Sequence, residues 1–196
     1  MHGVWVASRM SRAADGASLI GRIAARDMTA LRALLARHQV GVFRYILRLV
    51  GNAAIAEELT NEVFLVVWQN AGNFEGTGSA ASWILSIARH RAISSLRKRR
   101  EENWDQNAAD ALHDTGDNPE VAAQKANKGV IMRRCLDELS PEHKDIIDLV
   151  YYHDMSISEV RDVLQIPEST VKTRMFHARK RLSELLKEAG VDRGWP

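Results

Sequence analysis

The stretch SISEVRDVLQIPESTVKTRMFHARKR, residues 156–181, reads as two helices separated by a break. Ser156-Ile157-Ser158-Glu159 has the spacing of a capping box, in which the serine oxygen accepts from the amide three residues on and the glutamate reaches back. Val160, Val163 and Leu164 give the short helix that follows an apolar face, and Gln165-Ile166-Pro167 interrupts it. In the longer helix Val171, Met175, Ala178, Leu182 and Leu185 recur at four- and three-residue steps as a buried seam. A short capped helix, a tight turn and a long basic amphipathic helix make up the arrangement that presents a recognition helix to the DNA major groove. With the seam facing inward, the outward face near the start of the second helix includes Ser169, Lys172, Thr173, Phe176 and His177. Lysine donates to guanine O6 and N7, threonine bonds or touches a thymine methyl, and phenylalanine packs on methyls. Arg174, Arg179 and Lys180 lie toward the flanks, where phosphate positioning is the expected role. For Phe176 a place in the core is the alternative.

Upstream, the same helical periodicity extends nearly throughout, and no run alternates long enough to be a strand. Leu31, Leu34, Leu35, Val42, Tyr45, Ile46 and Leu49 trace one stripe that stops at Gly51-Asn52. Ile55, Leu59, Val63, Val66 and Val67 mark a second helix, and Asn70 to Gly78, with Gly72, Gly76 and Gly78, reads as a loop. Trp83, Ile84, Ile87, Ala88 and Ile93 begin a third helix that runs into strongly basic sequence. Val130, Ile131, Leu136 and Leu139 lead to Ser140-Pro141, a cap and first-turn pair, and then to Ile146, Ile147 and Val150. The expectation is an all-α protein of two small helical domains, residues 17–100 and 129–190, joined by an acidic flexible linker over 101–128. Met1 to Ile20 reads as a loose N-terminal tail, with the folded chain placed from residue 17, and 191–196 as a C-terminal one.

The net charge of +2 says little, but its distribution says more. Arg89 to Arg100 holds six basic residues and no acid; Glu101 to Glu120 holds seven acids and no lysine or arginine. Lys172, Arg174, Arg179, Lys180, Arg181 and Lys187 form a second basic block near the end. Two basic blocks separated by acids suit two surfaces for a polyanion, with solvated helix faces as the alternative. A lone Cys135 excludes an internal disulfide and fits a reducing compartment, the cytoplasm. No apolar run is long enough for a signal peptide or a membrane span, so no membrane contact is expected. The histidines His38, His90, His113, His143, His153 and His177 and Cys135 lack metal-ligand spacing, and nothing has the pattern of a nucleophile with its base. No metal, no cofactor and no catalysis are expected.

Three segments, in this order, resemble the extracytoplasmic-function (ECF) sigma factors of bacterial RNA polymerase, and the resemblance spans Ala30 to Leu186. They are Ala56-Glu57-Glu58-Leu59-Thr60-Asn61-Glu62-Val63-Phe64; Phe74-Glu75-Gly76 with Trp83 and Ala88-Arg89 through Leu96-Arg97; and Leu139-Ser140-Pro141 with Thr170-Val171-Lys172-Thr173-Arg174-Met175. The resemblance implies core RNA polymerase and promoter DNA as partners, an anti-sigma factor as controller, and a stress response as setting. It implies that Glu57, Glu58, Asn61 and Glu62 meet the polymerase clamp, a solvated helix face being the alternative. It implies that the loop holding Gly76, Thr77 and Ser79 captures a flipped base of the minus-ten element, with Arg89, His90, Ser94 and Arg97 tracking the strand. Trp83 has two readings, as a DNA contact or as a residue that fastens the helix to the core. Ser169, Thr170, Lys172, Thr173, Arg174, Phe176, His177, Arg179 and Lys180 are implied in the minus-thirty-five contact. The acidic linker would thread the polymerase channels.

The chain departs from the family pattern at Ser94 (usually Asp), Asn61 (usually Gln), Arg161 (usually Ala) and Gln165 (usually Gly). Gly at the last of these permits positive φ, which Gln adopts only at a cost, and Arg161 could point outward to a phosphate. A stand-alone helix-turn-helix regulator and a nucleic-acid-cleaving enzyme are the competing readings. The first lacks a βα receiver pattern in the N-terminal half, and the second lacks clustered metal-binding carboxylates.

Overall fold

Several helices begin or end where the chain supplies a cap. The computed structural model describes residues 16–76, 78–104 and 123–191, and among them there is no strand. The chain divides into two units, taken separately below.

In the N-terminal unit, α1 (residues 16–24) buries Ile20 and Ile23 completely. The tail is therefore shorter than the expected Met1 to Ile20; one pair of isoleucines three apart was too short a run to show a period. Residues 1–15 of the expected tail lie outside the described residues. Asp27 then caps α2 (Met28–Val50), accepting from the amides of Thr29 at 2.8 Å and Ala30 at 3.1 Å. Arg22 donates to the same carboxylate at 2.6 and 2.9 Å and, with those amides, holds the Asp27 carboxyl below its ordinary value. Helix α2 buries Ala30, Leu34, Val42, Tyr45, Ile46 and Val50 and ends at Gly51, whose φ of 68° is the left-handed cap that glycine adopts freely. Asn52 caps α3 (Ala53–Asn70) through the amide of Ile55 at 3.0 Å. A single 3₁₀ turn, Ala71–Asn73, follows. Helix α4 (Ala80–Trp104) is started by Ser79, whose hydroxyl oxygen accepts from the amide of Ser82 at 3.1 Å.

Helices α2, α3 and α4 pack on one another around Leu34, Ile46, Val63, Val67, Ile84 and Ala88. Ala92 is the last buried side chain described on α4; Ile93, placed by its period on the apolar side, is 41% exposed. The helix continues for three more turns with Arg97 paired to Glu101 at 3.7 Å. This i,i+4 pair carries α4 into residues 101–104, which the sequence assigned to the linker. The end of that stretch, from Ala123, is also helical; residues 105–122 lie outside the described residues.

In the C-terminal unit, α5 (Ala123–Asp137) leads to α6 (Pro141–Ile147), which Ser140 caps and which continues as a π-helical turn over Asp148–Tyr152. Then come α7 (Ile157–Leu164) and α8 (Glu168–Glu188). The capping box at Ser156 and Glu159 is formed in both directions, at 3.3 Å into the serine oxygen and 2.8 Å into the carboxylate. Helices α5 and α6 both pack on α8. Their core is Cys135, Leu139, Ile147, Ala178, Leu182, Leu185 and Leu186, bordered by Ile131, Met132, Leu136, Tyr151 and Val191. Burial raises the Cys135 thiol above its ordinary value, keeping it protonated and inert.

Gln165 closes α7 at φ 55°, ψ 44°, its amide donating to the carbonyl of Arg161 at 2.8 Å. A left-handed conformation, which glycine adopts freely, is here held by a residue with a Cβ. Relief of that conformation, about 1–2 kcal/mol, outweighs the roughly 0.5–1 kcal/mol of backbone freedom that glycine loses on folding. Gln165→Gly is therefore expected to stabilise the C-terminal unit by about 1 kcal/mol, read as a higher melting temperature. A lower one would mean that the glutamine side chain contributes more than its backbone costs.

Candidate nucleic-acid and polymerase interfaces

Helix α8 presents its face as the period required. Val171 and Ala178 are fully buried and Met175 half-buried, which turns Ser169, Lys172, Thr173 and His177 to solvent. Phe176 is 65% exposed, its ring edge-on to His177 at 5.4 Å, so its place is not in the core. Phe176 is thus an exposed aromatic on a helix whose seam residues Val171 and Ala178 are buried. Thr173 donates its hydroxyl hydrogen to the carbonyl of Ser169 at 3.0 Å. What it has left for a ligand is a methyl group and an acceptor oxygen, which suits a thymine methyl or an exocyclic amino group. Thr170 and Arg174 are half-buried beside this face. Glu142, in the first turn of α6, lies near enough to Arg174 to interact electrostatically. Its carboxyl is held below the usual glutamate range by its own backbone amide and the Ser140 hydroxyl, with Arg174 adding to the effect.

The flanking cations differ from one another. Arg179 donates through Nε to the hydroxyl oxygen of Tyr151 at 2.9 Å, with its guanidinium 5.7 Å from the ring centre. That leaves the remaining donors of a fixed fork for a phosphate. Lys180 is exposed. The sequence reading missed Tyr151, since a partner 28 residues away leaves no local signal.

In the N-terminal unit, Glu57, Glu58 and Asn61 are exposed on α3. Glu62 is half-buried and lies 3.5 Å from Arg91 of α4, so its charge is shared with the neighbouring helix. Leu65, 55% exposed, extends the same side by one turn. Gly76 has φ 71° and open space around it, so the loop passes through a conformation suited to glycine. Thr77 lies outside the described residues. Ser79 is engaged as the cap of α4 and also bonds the Ser82 hydroxyl at 3.2 Å.

Trp83 is half-buried against Phe74, ring centres 5.3 Å apart and planes tilted by 51°. The pair fastens the loop to the first turn of α4 and leaves Trp83 partly accessible. Three- and four-residue steps put His90, Ser94 and Arg97 along one face of α4. His90 and Arg97 are exposed there, and Ser94 and Arg89 are half-buried. No described helix is long and apolar enough to cross a membrane.

The chain is similar to known proteins along nearly its whole length. The family model described as Sigma-70 region 2 matches residues 34–102, and that described as Sigma-70, region 4 matches 130–182. Among curated proteins, the ECF RNA polymerase sigma factor SigL of Mycobacterium tuberculosis is 31% identical over 87% of this chain and 96% of its own. The ECF RNA polymerase sigma factor SigK of Mycobacterium bovis is 30% identical over 86% of this chain and 92% of its own. The fold is that of the sigma factor RpoE solved with the anti-sigma factor NepR from Bartonella quintana. There the TM-score is 0.67 at 23% identity, over 83% of this chain and 98% of that one. CnrH, solved with the cytosolic domain of CnrY, gives 0.64 at 20% identity, over 89% and 98%.

Proposed function

The chain belongs to the ECF RNA polymerase sigma factors, and on that premise we propose how its two units divide the work of promoter-specific transcription initiation. The exposed polar side of α3 binds core polymerase, with Glu57, Glu58 and Asn61 outermost and Glu62 tied to Arg91. The loop around Gly76, the Trp83 and Phe74 pair, and the face of His90, Ser94 and Arg97 take the minus-ten element as single-stranded DNA. Cations follow the strand and the partly accessible Trp83 ring offers a stacking surface. The outward face of α8, from Ser169 to Lys180, docks on duplex DNA at the minus-thirty-five element, where Lys172, Thr173, Phe176 and His177 meet base edges and the flanking arginines meet phosphates. The observation that carries the reading is Phe176: a solvent-exposed aromatic among cations on a helix whose other side is fully committed to the core.

The protein acts in the cytoplasm, in a stress response, with no catalysis of its own and no cofactor. An anti-sigma protein holds it inactive by covering these two surfaces. The RpoE and CnrH structures, each solved with a protein partner, support that reading. The acidic residues from Glu101 to Glu120 follow directly on the run Arg97 to Arg100, the first of them still within α4, and this acidic stretch serves as the connection that threads the polymerase channels.

The decisive experiment is in vitro transcription with purified core polymerase of the host. Specific initiation should appear on adding the chain; none above core alone sinks the reading. Glu57→Lys with Glu58→Lys is expected to weaken core binding by about 10-fold or more, since like charge placed against a complementary surface is costly. Unchanged co-purification with core would move the polymerase contact elsewhere.

A further inference from the structure

The turn between α7 and α8 is spanned by an ion pair that neither helix's periodicity announces. Arg161, in the last turn of α7, places Nη1 3.2 Å from Oε1 of Glu168, the first residue of α8. Both side chains are a little under half exposed, at 46% and 42%. The pair brackets the turn that runs from Gln165 to Pro167. Gln165 is in the left-handed region, and α8 starts at Pro167 with no side-chain cap.

Glu168 stands at the leading end of the helix whose outward face begins one residue later with Ser169 and Lys172. Carboxylates are favoured in a first helical turn, because they answer the unpaired amides there. The same amides are what a phosphate would use. A carboxylate left uncompensated at that position repels the polyanion that α8 is read as binding, within a distance that salt does not fully screen. Arg161 removes this conflict: its guanidinium cancels the charge while leaving Glu168 at the helix start, and its reach across the turn fixes the first turn of α8 relative to α7.

We infer that Arg161 is a positioning residue for DNA binding, acting through Glu168 and not by touching DNA. The inference rests on the reading of α8 as the duplex-binding helix. It assigns a role to a position at which the sequence departs from the family pattern it resembles, and it makes the pair, not either residue alone, the functional unit.

The test is titration of the full chain on a duplex that the wild-type chain itself selects from a randomised pool, at several salt concentrations. Each phosphate charge answered contributes a slope of about 0.9 in log affinity against log salt, or about fivefold in affinity near about 0.15 M. R161A is expected to bind about fivefold more weakly. R161A/E168Q is expected to return to wild-type affinity and slope, and Arg161→Lys to stay within about twofold. The inference is overturned if R161A binds as wild type does. It is equally overturned if the double variant stays as weak as R161A with a slope lower by about 0.9, since Arg161 would then hold a phosphate itself. Should R161A melt below the assay temperature, E168Q alone decides: binding equal to or tighter than wild type supports the pair, and weaker binding makes Glu168 a contact and overturns it. Failure of the wild-type chain to enrich any sequence would instead remove the duplex-binding reading of α8.

Discussion

A chain carrying Lys172→Ala and Phe176→Ala is expected to lose promoter-specific transcription by about two orders of magnitude while melting at the wild-type temperature. Each good base-edge contact discriminates by about 1–3 kcal/mol, and each 1.4 kcal/mol is about tenfold. Neither side chain belongs to the core: Lys172 is exposed and Phe176 is 65% exposed, so truncating them leaves no cavity. Core polymerase binding, carried by the other unit, should be unchanged. Transcription from a mapped promoter, measured beside thermal melting and co-purification with core, checks all three parts. Wild-type transcription by the double variant would remove α8's outward face from promoter recognition, and a lowered melting temperature would return Phe176 to a structural role.

Leu182→Ala is expected to act in the opposite way, on folding first and on DNA only as a consequence. Leu182 is 2% exposed within a core of seven buried side chains drawn from α5, the α5–α6 turn, α6 and α8. Truncating a leucine so placed costs about 2–5 kcal/mol, and a core of this size supplies roughly 3–5 kcal/mol in all. The C-terminal unit should therefore be substantially unfolded at growth temperature. The α2, α3 and α4 core shares none of these residues and should persist. Amide exchange resolved by segment would show α5, α6 and α8 unprotected and α2 to α4 protected, with duplex binding lost and core binding kept. Uniform protection in both units would contradict this.

What was legible in the sequence was whatever repeats within a few residues. The stripes of α2, α3 and α8, the stop at Gly51, the cap at Ser140 and the capping box at Ser156 are each written locally, and each stands where it was read. Gln165 was legible only as a departure that put the packing of the turn in question, and the structure holds it in the left-handed conformation all the same. What stayed hidden are the cross-links between elements. Glu62 with Arg91, Arg179 with Tyr151 and Arg26 over the ring of Trp68 at 5.3 Å join residues far apart in sequence, and a single chain carries no record of such pairings. Phe74 with Trp83 is nearer, but both had been read separately, one as loop and one as helix. The helical extension to Trp104 was hidden for a different reason: with no apolar stripe beyond Ala92, only charge pairing signals helix there.

That extension has a mechanical meaning. From Ala92, its last buried side chain described, to Trp104 the helix rises about 18 Å, at about 1.5 Å per residue. Its cations are consequently not a diffuse cloud: their phase around the axis, at about 100° per residue, is set by how Ala88 and Ala92 seat in the core. A nucleic-acid strand that meets Arg97 to Arg100 encounters charges with a fixed pitch and bearing, and the core helices below act as the protractor.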